Sequence, residues 1–157
     1  MYTRIAGAVV LTALFGFMTL PARAAGLQNI GAYHSGNATL LVDTYTDTTG
    51  TVGLIAIKAD GRSLSYSFEK ADLPALYALW NKAQNTAQGS DATKFVAAGS
   101  VAEPDTHALD VLLLAAGPSV RFSVADPVDG ILVFDLALSD RVSFDTAIHQ
   151  VGNALTL

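Results

Sequence analysis

Asp60-Gly61-Arg62-Ser63-Leu64-Ser65-Tyr66-Ser67-Phe68, followed by Glu69-Lys70-Ala71-Asp72-Leu73-Pro74, is the stretch that decides the fold class. From Ser63 to Phe68 the residues alternate strictly. Leu64, Tyr66 and Phe68 fall on one side and three serines on the other, which is a strand with one wet face. Asp60-Gly61 joins it to the apolar run Val52 to Lys58, and both residues tolerate the positive φ of a tight hairpin turn. After Phe68 the period changes from two to about 3.6. Asp72 stands where a helix cap belongs, Pro74 lies in the first turn where its missing N–H costs nothing, and Leu76, Leu79, Trp80 and Ala83 share a face. A helix over 73–87 is predicted.

Upstream, Leu40 to Tyr45 leads through the loop Thr46 to Thr51 into the next strand. Downstream, Gln88 to Thr93 reads as a connector, and the order then repeats. Strands are predicted at 94–101, 107–115, 120–124 and 131–138, with a helix at 141–155. Val120, Phe122 and Val124 alternate with Ser119, Arg121 and Ser123, and Asp129-Gly130 takes the place of Asp60-Gly61. Shifted by 68 positions, Asp72 falls on Asp140, Leu76 on Phe144, Leu79 on Ala147, Trp80 on Ile148 and Ala83 on Val151. The fold class is therefore α+β: antiparallel sheets with helices, as two repeated units of three to four strands and one helix, at 27–87 and 94–156. In element order alone this resembles the duplicated strand-and-helix folds that bind single-stranded nucleic acid, a resemblance that implies architecture and not activity.

The full chain has 157 residues, 51% of them hydrophobic and 15% charged, with no cysteine and a formal net charge of −5. Its first residues, Met-Tyr-Thr-Arg, precede an uncharged run from Ile5 to Leu20 and the segment Pro21-Ala22-Arg23-Ala24. That is the order of a secretory signal peptide cut after Ala24. The run is shorter than the roughly 20 apolar residues that span a bilayer. Residues 25–157 would form the mature domain, in the periplasm or outside the cell. Arg4 and Arg23 leave with the leader, so seven basic residues face fourteen acidic ones. The seven cations are scattered singly, so neither nucleic acid nor an anionic membrane is an expected partner. Both methionines also leave, and the mature chain offers oxidants no sulfur.

Residues that carry chemistry are sparse. No Gly-x-Ser-x-Gly elbow is present; Gly99-Ser100 and Pro118-Ser119 are the nearest serine sites and lack its second glycine. His34, His107 and His149 have no ligand spacing, so no metal is predicted, and no glycine cluster precedes a helix in a phosphate-binding pattern, so no cofactor is predicted. Asp43 and Asp47 flank Tyr45 near a loop. Glu103, Asp105 and Asp110 cluster at a hairpin, where two carboxylates across a cleft could serve a small hydrolase. Tyr66 and Trp80 lie on core stripes, which leaves Tyr33 and Tyr45 free to bind; with His107 and Arg121 they form the candidate binding set. Two strands, 107–115 and 131–137, are apolar on both faces. The preferred reading is that both are central and covered on both sides; the other is that the second face is an interface.

These features predict an exported, non-catalytic protein acting by protein contact, as an accessory subunit, inhibitor or assembly factor, with an unknown partner or a second copy. The alternative is a small-molecule or glycan binder using a cleft between the halves.

Overall fold

The computed structural model describes residues 26–89, 94–102 and 110–156. The leader and His107 lie outside them. The first half contains β1 (Gly26–Ser35), β2 (Ala38–Thr46), β3 (Thr51–Ala59), β4 (Arg62–Phe68) and α1 (Leu73–Gly89). The second contains β5 (Val96–Ala102), β6 (Asp110–Ala116), β7 (Ser119–Asp126), β8 (Gly130–Ala137) and α2 (Arg141–Leu155). Each set of four strands is an antiparallel meander, β1-β2-β3-β4 and β5-β6-β7-β8. The fold is α+β.

The alternation read in the sequence sets the inner faces. Leu64, Tyr66 and Phe68 on β4 are buried beside Ile55 and Ile57 on β3 and Leu40 and Val42 on β2. In the second sheet Val120, Phe122 and Val124 are buried beside Leu132, Phe134 and Leu136. The β3–β4 turn is made by Asp60 at φ 52° and Gly61 at φ 73°, the pair of positive angles a primed hairpin turn requires. In the β7–β8 hairpin the pairing closes on Asp126 and Gly130, one residue wider. There the Asp126 carboxylate accepts the N–H groups of Val128 and Asp129, at 2.7 and 2.8 Å, so Asp126 organises the turn rather than Asp129-Gly130 alone.

The helices are exchanged between the halves. α1 lies on β5, β6 and β7 of the second sheet, and α2 lies on β1, β2 and β3 of the first. Trp80 of α1 therefore stacks at 6.1 Å on Phe122 and meets Phe144 of α2 at 4.7 Å, and its indole N–H donates to the Asp145 carboxylate at 3.1 Å. Strand β8 also packs against the strands of the first sheet. The Arg62 guanidinium donates to the Asp129 carbonyl, tying the two hairpin turns together. One cluster of buried side chains runs through both halves. Each half thus depends on the other for the cover of its sheet.

Backbone irregularities repeat along with the elements. The β1–β2 ladder slips between Asn29 and Gly31, and the β5–β6 ladder slips between Ala97 and Gly99, again 68 positions later. Behind each bulge stands the exchanged helix. A Cβ on Gly31 would lie 3.1 Å from Ala147, and one on Gly99 would lie 3.0 Å from Leu79, and these two residues are themselves 68 apart.

The caps depart from expectation. Ahead of α1 the Asp72 carboxylate accepts the Glu69 N–H at 2.8 Å, so it closes a 3-10 turn over Lys70–Asp72 instead of capping the helix directly. Asp140 precedes α2 but makes no side-chain cap bond; its carbonyl accepts the Ser143 hydroxyl at 3.1 Å. The doubly apolar strands also divide. β6 is central in its sheet, whereas β8 is the last strand of its sheet. Ile131 and Val133 of β8 are 61% and 45% exposed, so this strand is not covered on both faces.

Candidate functional site

Cross-strand pairing organises the outer faces into rows, because residues opposite one another in a ladder share a face. In the first sheet one row runs Asn29, Asp43, Leu54, Ser67. The equivalent row of the second sheet runs Ala97, Leu114, Arg121, Asp135. Each row holds one polar pair, at opposite ends. In the first, the Asn29 side-chain amide donates to Asp43 at 2.6 Å and Asp43 is only 3% exposed. In the second, Arg121 makes two parallel bonds to Asp135, at 2.6 and 2.7 Å, and its guanidinium lies 4.0 Å above the Phe95 ring. The bidentate bond to Asp135 raises the Arg121 pKa above its ordinary value.

The predicted binding residues do not converge. Tyr33, on the inner side of β1, is 8% exposed and packs at 5.6 Å against Phe144, so it belongs to the core and is not free as the sequence reading had it. Tyr45 faces outward and is 42% exposed. Together with Asp47, Thr49, Val52, Glu69, Lys70 and Leu155 it lines a cavity of about 260 Å³. Arg121 sits on the other sheet with its charge already paired. Tyr33 and Tyr45 look to opposite sides of the first sheet.

The carboxylates separate likewise. Asp43 lies mid-strand rather than near a loop. Asp47 accepts the Thr49 N–H and hydroxyl and the Gly50 N–H, and the Thr49 hydroxyl bond leads in holding its pKa below the ordinary value. Its oxygen is spent on the turn. Glu103 and Asp105 fall outside the described residues, and among the described residues no group of three His, Asp or Glu could hold a metal ion. Nor is any helix there long and apolar enough to cross a membrane. His149, exposed on α2, stacks at 4.7 Å on Tyr77 and lies 3.6 Å from Asp145.

Two features escaped the sequence reading. One is a groove of about 430 Å³ between the bulged strand β1 and α2, lined by Ile30, Gly31, Ala32, Tyr33, Ser143, Thr146, Ala147 and Gln150. The spacing of Ser143, Thr146 and Gln150 along one helix side was visible, but not the strand beside it. Burial, the larger cause, raises the Tyr33 phenol above its ordinary value of 10.0, against a hydrogen bond with Ser143 and with the charge of Asp140. The second is the outer face of β7 and β8, where Ile131 and Val133 stand exposed on the side that carries Arg121, Asp135 and Phe95. No family model matches the chain, and no curated protein matches it.

Proposed function

We propose that this is an exported protein, released after Ala24, that acts by protein contact and not by catalysis, in the periplasm or outside the cell. The observation that carries the reading is the exposure of Ile131 and Val133 on the outer face of β8, the face that also carries Arg121 against the Phe95 ring. Solvating these side chains forgoes the roughly 1.5–3 kcal/mol that burying each would contribute, and contiguous exposed apolar surface is the usual mark of an interface. On this face Arg121 and Asp135 neutralise one another.

The occupant is a second copy of this chain. A mature chain at −7 repels another copy over most of its surface, and repulsion is reduced where exposed apolar side chains stand next to a paired Arg121 and Asp135. A two-fold contact there would set Ile131 and Val133 against their own counterparts.

Light scattering on the exported protein, with its N-terminal residue determined, tests the reading. A dimer beginning at Ala25 that becomes a monomer on Val133→Glu is the expected result. A monomer at every concentration would refute self-association, and an N-terminus at Met1 would refute export by cleavage.

A further inference from the structure

The groove between β1 and α2 gains its meaning from its counterpart in the other half. Moved by 68 positions, Ala147 becomes Leu79, and Ser143, Thr146 and Gln150 become Ala75, Ala78 and Lys82. Both sides have a bulge, a glycine and an exchanged helix, although Gly99 adopts φ 150° and Gly31 has no positive φ. On both sheets the helix comes up to the glycine, Leu79 standing 3.0 Å from a Cβ on Gly99 and Ala147 3.1 Å from one on Gly31, so what sets the first side apart is the polar residues that flank the contact. Gly31 keeps the groove open, since a Cβ there would stand 3.1 Å from the Tyr33 hydroxyl.

The polar groups that replace two alanines and a lysine share one chemistry. The Ser143 hydroxyl donates to the Asp140 carbonyl at 3.1 Å and the Thr146 hydroxyl donates to the Val142 carbonyl at 2.8 Å, so both spend their proton on their own helix. The Thr146 oxygen then remains an acceptor for a ligand donor, while the Ser143 oxygen is shared with the Tyr33 phenol. Gln150 adds an amide with both donors and an acceptor. None of the side chains that line the groove is ionised at neutral pH, and Asp140 beside the Tyr33 phenol opposes an anion. Such a lining suits a ligand rich in hydroxyl donors and without charge, and the volume of about 430 Å³ lies in the lower range of small-molecule sites.

We propose that the β1–α2 groove is a binding site for a neutral, polyhydroxylated ligand of one or two sugar units. It lies between the halves, apart from the outer face of β8, and stands or falls independently of the contact reading.

The test is amide chemical-shift titration of the purified protein with glucose, maltose and N-acetylglucosamine, and with gluconate and glucosamine as charged probes. Saturable shifts confined to β1 and α2, with at least one neutral sugar, are expected. Two variants are compared. Ala147→Leu places a larger side chain on the groove wall and should weaken binding at least tenfold; Gln150→Ala, on the exposed side of α2, should weaken it several-fold while the thermal midpoint holds. Absence of saturable shifts with all three neutral sugars, equal binding by Ala147→Leu, or tighter binding of either charged probe would overturn the proposal.

Discussion

The two outer sheet faces share a backbone plan and differ in what they leave in water. On the first, β4 presents Ser63, Ser65 and Ser67, Lys58 and His34 stand exposed on the neighbouring strands, and the one buried charge, Asp43, is held by Asn29. On the second, the strand equivalent to β4 presents Ile131 and Val133, and the polar pair Arg121–Asp135 has moved to the β7–β8 side of the row. Elements in the same order around a common core thus carry different exteriors. The inner faces are constrained alike, because each must fit a helix supplied by the other half, whereas the outer faces answer to solvent and partners. The difference is where function is to be sought.

The largest effect is expected from breaking the link between the halves. A chain of residues 25–89 carries Trp80, the sole tryptophan, but lacks its stacking partners Phe122 and Phe144, and its sheet lacks α2. Alone it should show no cooperative unfolding by circular dichroism. Mixed with residues 94–157 it should recover a blue-shifted Trp80 emission. Cooperative melting of either fragment alone would mean that the exchange is not what holds the sheets.

The row pairs come next. Asn29→Ala leaves the buried Asp43 carboxylate without its side-chain partner and should cost about 1–3 kcal/mol in urea melts. Adding Asp43→Leu, which removes the buried carboxylate altogether, should restore most of that loss. By contrast Arg121→Ala breaks a pair that water already screens, and should cost about 0–1 kcal/mol. If the second loss matches the first, the two rows are energetically equivalent and the contrast drawn between the faces fails.

The smallest effect is alkaline. Because burial raises the Tyr33 pKa in the folded state, that state holds the phenolic proton more tightly than the unfolded chain does. The contribution is complete below about pH 10, the unfolded value, and is lost as pH rises through the folded one. Tyr33→Phe should flatten the fall in stability above pH 10 and leave its slope at neutral pH unchanged.

Much of this plan was legible in the residues. Alternation in Ser63–Phe68 and Val120–Val124, the Asp60-Gly61 turn and the shift of 68 between helix stripes gave the elements and their repetition. Strand β1 was not legible, because the bulge at Ile30 reverses the parity of Gly26–Ser35, so Asn29 and Tyr33 face opposite sides and no period of two survives. The exchange was not legible either. Periodicity tells that Leu79 and Ala147 are buried, but not which sheet buries them. Asp43 falls inside the predicted strand Leu40 to Tyr45, but its burial was not legible, because aspartate is rare inside strands and only the spatial arrival of Asn29 accounts for it there. The binding set of Tyr33, Tyr45 and Arg121 was chosen by residue type, and type carries no information on which side of a sheet a residue looks to. His107 lies outside the described residues.

The absence of cysteine makes one comparison of the faces clean. Single cysteines placed at Val133 and at Ser65, at equivalent outer positions of the second and first sheets, can be oxidised under identical dilute conditions and the products separated by mass. The account predicts a covalent dimer for Val133→Cys and a monomer for Ser65→Cys. Equal crosslinking of the two, or crosslinking at Ser65 alone, would contradict it.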